Sequence, residues 1–310
     1  MDILYAVVVV VGLVVFESVC SIDNAIINAD ILSTMKEWAR RWFLTWGLVI
    51  AVFVVRGILP WLIIWVSAPS LGPIGALTAT FSGDETAAQA IEMSSPFLLI
   101  AGGIFMLFLF LHWFMAEEKN CIVPGERVMT KQASWFYAAA SLILLGVIVF
   151  SIPINPYLGA AAAAGAAVYY VMMGFRLFAD KKTHELESGK VSGDKAHKHS
   201  DISKLMLLEV IDATFSVDGV VGAFAFTMSV PLILIGNGIG ALVVRELTVR
   251  NIENIKKFAY LKNGAMYSIM CLGIVMCSEA FGVDYPMWLA PLTTIIIVGV
   301  FLFLSVRKIK

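Results

Sequence analysis

Charge is what this 310-residue sequence has least of: 15% of its residues are Asp, Glu, Lys or Arg, against 60% that are hydrophobic. A soluble domain has too little interior to hide so much apolar surface. The scarcity therefore excludes a soluble enzyme or a nucleic-acid binder and indicates a polytopic, all-α helical membrane protein. Cysteine is sparse too. Cys20, Cys121, Cys271 and Cys277 show no CxxC spacing, which leaves no disulfide framework and no zinc site. They read as small buried apolar residues. A basic leader region is missing before the first apolar run, which passes into charged residues instead of a small-residue cleavage site, so it is expected to be a retained first span.

Apolar runs of membrane-spanning length predict nine helices, near 3–32, 43–66, 97–116, 134–151, 157–178, 203–228, 231–249, 259–279 and 288–306. The seventh opens at Pro231 and carries Gly236, Gly238 and Gly240, a composition that predicts a kinked or partly re-entrant segment. Lys and Arg are absent from the connections after the second, fourth, sixth and eighth runs, and cluster after the others, from Lys36, Arg40 and Arg41 to Arg307, Lys308 and Lys310. By the positive-inside rule the N-terminus is outside and the C-terminus cytoplasmic. The chain divides into a first half, residues 1–178, with an external loop at 67–96, then a cytoplasmic linker at 179–203 and a second half at 204–310. His197 and His199, in the linker, read as part of a solvated segment.

Against that apolar background the acids stand out. Glu17-Ser-Val-Cys-Ser21-Ile-Asp23-Asn24 interrupts the first run, and Asp212-Ala-Thr-Phe-Ser216-Val-Asp218-Gly219 lays over it without a gap. Glu209 lies one turn before Asp212. An ionised carboxylate at mid-membrane depth costs about 2.5–3.5 kcal/mol on insertion scales, so a proton, a cationic side chain or a metal ion must compensate each one. The first motif runs inward and the second outward. They meet antiparallel, as in inverted-topology repeats whose substrate sites lie near the midplane.

On a helix, Glu17, Ser21, Asn24 and Asn28 form one polar stripe, while Asp23 and Asp30 project elsewhere; Glu209, Asp212, Ser216 and Gly219 form a second stripe from which Asp218 departs. Local unwinding near 21–24 and 216–219 is expected, to turn the stray aspartates inward and free carbonyls as ligands. Carboxylates, hydroxyls, an amide and carbonyls are hard oxygen donors suited to Mn²⁺, Ca²⁺ or Mg²⁺. The expected metal ligands are Glu17, Asp23, Glu209, Asp212 and Asp218, with Ser21, Asn24, Ser216, Asn28 and Asp30 in support. Arg56, alone in the middle of an apolar run, is the expected charge compensator. Protonation of surplus acids would couple cation movement to protons.

Phe16-Glu-Ser-Val-Cys-Ser-Ile-Asp-Asn-Ala-Ile26 resembles the E-x-x-L-S-x-D-N motif of the TerC family of integral membrane proteins, with Cys20 where leucine is usual. Glu209-Val-Ile-Asp-Ala-Thr-Phe-Ser-Val-Asp218 resembles that family's second motif, with Ser216 and Gly219 in place of alanine and serine, as in a divergent branch of unknown function. Arg56-Gly57 and Tyr260-Leu-Lys-Asn-Gly264 resemble two further elements. The resemblance implies a bacterial inner-membrane protein built on inverted three-helix repeats, with manganese export as its activity.

These readings converge on a secondary transporter that exports Mn²⁺ or a similar divalent cation. The alternative is a non-transporting membrane protein whose structural metal site assists metalation or assembly of exported enzymes, with the secretion machinery as partner. Paired aspartates also serve as proteolytic dyads, but no second catalytic signature accompanies them, so no enzyme is expected. Sequence alone sets no oligomeric state.

Overall fold

A computed structural model describes residues 3–33, 35–47, 49–50, 56–76, 85–117, 119–122, 126–130, 132–187, 201–255 and 257–309; the side chains of Asp23, Asn24 and Asp30 lie outside the described residues. The described residues are predominantly helical and contain no strand, as expected where lipid offers the backbone no hydrogen-bond partners. In order come α1 (Ile3–Cys20), α2 (Ile22–Ser33), α3 (Glu37–Trp42), α4 (Arg56–Ser67), α5 (Glu85–Ala116), α6 (Glu126–Met129), α7 (Phe136–Ser151), α8 (Pro156–Glu187), α9 (Asp201–Ala223), α10 (Val230–Ile255), α11 (Leu261–Ala280) and α12 (Leu289–Ile309).

Six of these are long and apolar enough to cross a membrane, and a seventh results if Arg56–Val66 and Pro69–Ala76, set at 101° to each other, form one bent span. The nine predicted runs are thus only partly matched. The run at 43–66 is interrupted: a π-helical turn occupies Phe43–Gly47, residues 51–55 lie outside the described residues, and α4 begins at Arg56. The sixth and seventh runs are helices of 23 and 26 residues, but the acids of α9 and the charged end of α10 dilute their apolar character. Two boundaries also move. Residues 85–92, expected as part of an external loop, form about the first two turns of α5, which continues through Pro96. The linker shortens because α8 runs on to Glu187; residues 188–200, with His197 and His199, lie outside the described residues.

The core forms where α5 packs along α11 and α1 along α10, with Leu13, Phe16, Ile100, Phe105, Phe108 and Trp113 fully buried. Small residues set these crossings. A side chain on Gly165 of α8 would strike the backbone of Ala101 on α5, and Gly236 and Gly240 of α10 face Leu13 and Glu17 of α1. The glycines predicted to kink α10 therefore serve close approach; that helix is uninterrupted. By contrast α7 presents Leu142, Leu145, Val149 and Phe150 outward, as a lipid-facing helix does.

A polar latch closes one end of the α5–α11 seam. Lys262 Nζ donates to Glu117 Oε2 at 2.7 Å, Asn263 Nδ2 to the Asn120 carbonyl at 2.9 Å, and Asn120 Nδ2 to the Ala259 carbonyl at 3.2 Å. The Tyr267 hydroxyl donates to the buried Glu126 at 2.6 Å, and the Ile122 amide to the same carboxylate at 2.6 Å. Burial would raise the Glu117 carboxyl, but His112 and Lys262 hold it down to about 2.

Candidate ion site between the two acidic motifs

Glu17 lies in the last turn of α1 with 1% of its surface exposed. One of its oxygens, Oε1, accepts from Ser21 Oγ at 2.8 Å and from Arg56 Nη2 at 2.5 Å. Arg56, itself 3% exposed, opens α4, and its Nη1 lies 4.0 Å from Asp212 Oδ2 on α9. A single buried guanidinium thus joins the first motif to the second. Of the expected site residues, Glu17 with Ser21 meets Asp212 through Arg56, and Gly219, beside Asp218, borders Glu17; the side chains of Asp23, Asn24 and Asp30 lie outside the described residues.

Of the expected unwinding, the first motif shows only a one-residue interruption at Ser21 and the second shows none. The Ser21 amide bonds the Glu17 carbonyl at 3.0 Å and the Ala25 amide the Ser21 carbonyl at 2.9 Å, so hydrogen bonding bridges the one-residue joint between α1 and α2. Through 216–219 α9 is continuous, with Ser216 Oγ donating back to the Asp212 carbonyl at 2.7 Å. The reason is electrostatic. Asp218 departs from the stripe because it has its own cation: Arg176, on α8, pairs with its Oδ2. Arg245 of α10 stands in Coulombic range of both Glu209 and Asp212, and its Nη2 donates to the Phe43 carbonyl at 3.1 Å.

Arginine does not saturate these acids. Among the described residues Glu17 Oε2, Asp218 Oδ1 and Glu209 Oε1 are buried with no hydrogen-bond partner, as are Asn28 Oδ1 and Asn237 Oδ1. Leaving a buried acceptor unmet costs about 1–3 kcal/mol each, so the cluster is strained toward taking up a donor or a cation. Among the described residues no three His, Cys, Asp or Glu side chains gather closely enough to hold a metal ion by themselves. Any cation here would need oxygens from other residue types, or from Asp23.

Near the N-terminal end of α1 lies a cavity of about 960 Å³, lined by Tyr5, Glu92, Glu279, Asp284, Phe224 and Phe226 among others. The Phe16 ring packs on Phe226 with centroids 5.5 Å apart, directly before Glu17. Phe226 thus belongs both to the cavity wall and to the ring pair beside Glu17.

The family described as "Protein of unknown function (DUF475)" matches residues 22–310. The chain belongs to that family. Its similarity to the uncharacterized membrane protein YceF of Bacillus subtilis (strain 168) is 33% identity over 79 residues, 26% of this chain and 31% of that protein. The chain thus spans about a third of the length of the curated relative it matches. No solved structure matches.

In this DUF475 chain three site residues escape sequence reasoning. Arg176 reads as one of the cytoplasmic charges flanking a span, yet its side chain is 15% exposed and turned onto Asp218. Arg245 sits inside the seventh run, so Arg56 is not the lone intramembrane arginine. Asn237, fully buried, hides among the glycines of α10. The one available signal was common to all three: a polar residue within an apolar run, where it needs a partner.

Proposed function

We propose that this protein is a secondary transporter that exports Mn²⁺, or a similar hard divalent cation, from the cytoplasm, coupled to protons, by alternating access. Arg56 is the observation that carries the reading. It is buried, and it holds Glu17 of one motif and faces Asp212 of the other, so the two antiparallel copies share one polar centre. Helix pairing supports an inverted repeat as well. The first helix of each half packs on the second helix of the other, α1 on α10 and α9 on α4, while the third helices, α5 and α11, pack on each other.

On this reading Glu17, Asp23, Glu209, Asp212 and Asp218 bind the cation or carry its protons, and Ser21, Asn24, Asn28, Asp30 and Ser216 support them. Cation entry expels protons, and protons returning from outside expel the cation. Arg56 and Arg176 keep the acids compensated when no cation is bound. The protein would sit in a bacterial inner membrane with its N-terminus outside, in keeping with its charge alternation and its resemblance to the TerC family.

The test is Mn²⁺ uptake into inverted vesicles. The unmutated chain should accumulate Mn²⁺ under an imposed proton gradient, and Asp23→Asn and Asp218→Asn should each reduce the rate at least tenfold. Equal rates for all three would defeat the assignment.

A further inference from the structure

Neither motif contains Asn237, yet its surroundings tie it to both. It sits on α10 between Gly236, which faces Leu13, and Gly240, which faces the Glu17 stem. It is fully buried, and its Nδ2 donates to the Gly219 carbonyl at 3.3 Å, one residue past Asp218. Gly219 in turn borders Glu17: a side chain there would collide with Glu17 Oε2. Three residues about this glycine each carry a buried oxygen with no hydrogen-bond partner among the described residues: Glu17, whose Oε2 a side chain at Gly219 would strike, Asn237, whose Nδ2 bonds the Gly219 carbonyl, and Asp218, the residue before it.

The partnered oxygens are their counterparts. Arg56 and Ser21 both take Glu17 Oε1, and Arg176 takes Asp218 Oδ2. Each carboxylate is split, with a guanidinium on one oxygen and no hydrogen-bond partner among the described residues on the other. We infer that the seat of the transported cation is the space bordering Gly219, where Asn237 supplies a neutral oxygen beside Glu17 Oε2 and Asp218 Oδ1. Two carboxylates and an amide match the charge of one divalent ion with hard donors, and water completes the shell. The arginines need not leave for the ion to enter. They stay on the far oxygens and weaken the carboxylates as ligands, which suits a site that must also release its cargo.

This inference rests on the transport reading, and its experiment separates the two. Mn²⁺ binding to the purified full chain in nanodiscs is measured by the electron paramagnetic resonance of free Mn²⁺, and metal-free stability by thermal melting. Asn237→Leu keeps the volume and removes the oxygen; it should weaken Mn²⁺ binding at least tenfold. Asn237→Asp keeps an oxygen, adds charge and loses the Nδ2 donor; it should tighten binding about tenfold and shift preference among Mn²⁺, Ca²⁺ and Mg²⁺. If Asn237 only pins Gly219, both variants lose that hydrogen bond and move the same way, which overturns the assignment. Should Asn237→Leu fail to fold, the direction of the Asn237→Asp change decides alone. Binding unchanged in both variants, with Asp218→Asn impaired, removes Asn237 and leaves the transport reading standing. No Mn²⁺ binding by the unmutated chain removes both.

Discussion

Glu17 and Arg56 illustrate how a membrane interior makes one residue depend on another. The pair is almost wholly buried, so each ion's desolvation must be offset inside the protein: for Glu17 by Arg56 and the Ser21 hydroxyl, for Arg56 by Glu17 and Asp212 among others. Removing one partner of such a pair costs about 3–5 kcal/mol, chiefly because the other charge is left behind. Arg56→Gln should therefore lower the melting temperature markedly. The double variant Arg56→Gln with Glu17→Gln should recover much of the loss, since two neutral amides can bond each other. A double variant as unstable as the single would show that Asp212, rather than Glu17, is the charge Arg56 chiefly serves. At this scale the sequence was informative about the acids and about Arg56, and silent about Arg176 and Arg245. The motif repeat marks Glu17 and Asp218 directly, whereas Arg176 lies at the edge of its run, where positively charged residues flank spans anyway.

Among the elements, α5 and α8 meet where Gly165 abuts the backbone of Ala101. Backbone cannot swing aside as a side-chain tip can, so a methyl group there must push the two helices apart. Gly165→Ala is expected to cost about 1–3 kcal/mol, in the range of core overpacking, and to show as a lower melting temperature in detergent. Gly146→Ala, whose added carbon meets nothing within 4 Å, is the matched control and should melt like the unmutated chain. Helix identity was largely legible from apolar runs, because lipid leaves the backbone no alternative. Helix ends were less so. Pro96 reads as a boundary, yet α5 passes through it, and residues 85–96 prove helical because the missing amide costs only one backbone bond. The glycines of α10 read as hinges by composition alone; only the neighbouring α1, which sequence cannot supply, shows them to be contact points.

For the whole molecule, the α5–α11 seam joins the two halves and the latch at its end ties them by charge. Glu117 titrates near 2 in the folded protein, below its ordinary 4.5, so it contributes stability that is fully present above about pH 4.5 and lost as pH falls toward 2. Thermal melting between pH 7 and pH 3 should decline toward the acid end, and Lys262→Met should flatten the part of that decline due to Glu117. An identical pH profile in the variant would mean that Lys262 does not set this carboxyl. The segment Tyr260 to Gly264 carries a resemblance in the sequence, but its work in holding residues 117–126 becomes visible only once the seam brings them together.

The arginine on Asp218 has an electrical corollary. A carrier whose empty binding site bore several bare carboxylates would drag that charge through the membrane field on every reset, at about 2.3 kcal/mol per charge per 100 mV. Here guanidinium groups already sit on Glu17 and Asp218. On the transport reading the unloaded return would then carry less net charge through the membrane field than bare carboxylates would, leaving the chemical gradient of the exchanged ions a larger share in setting the direction of cycling.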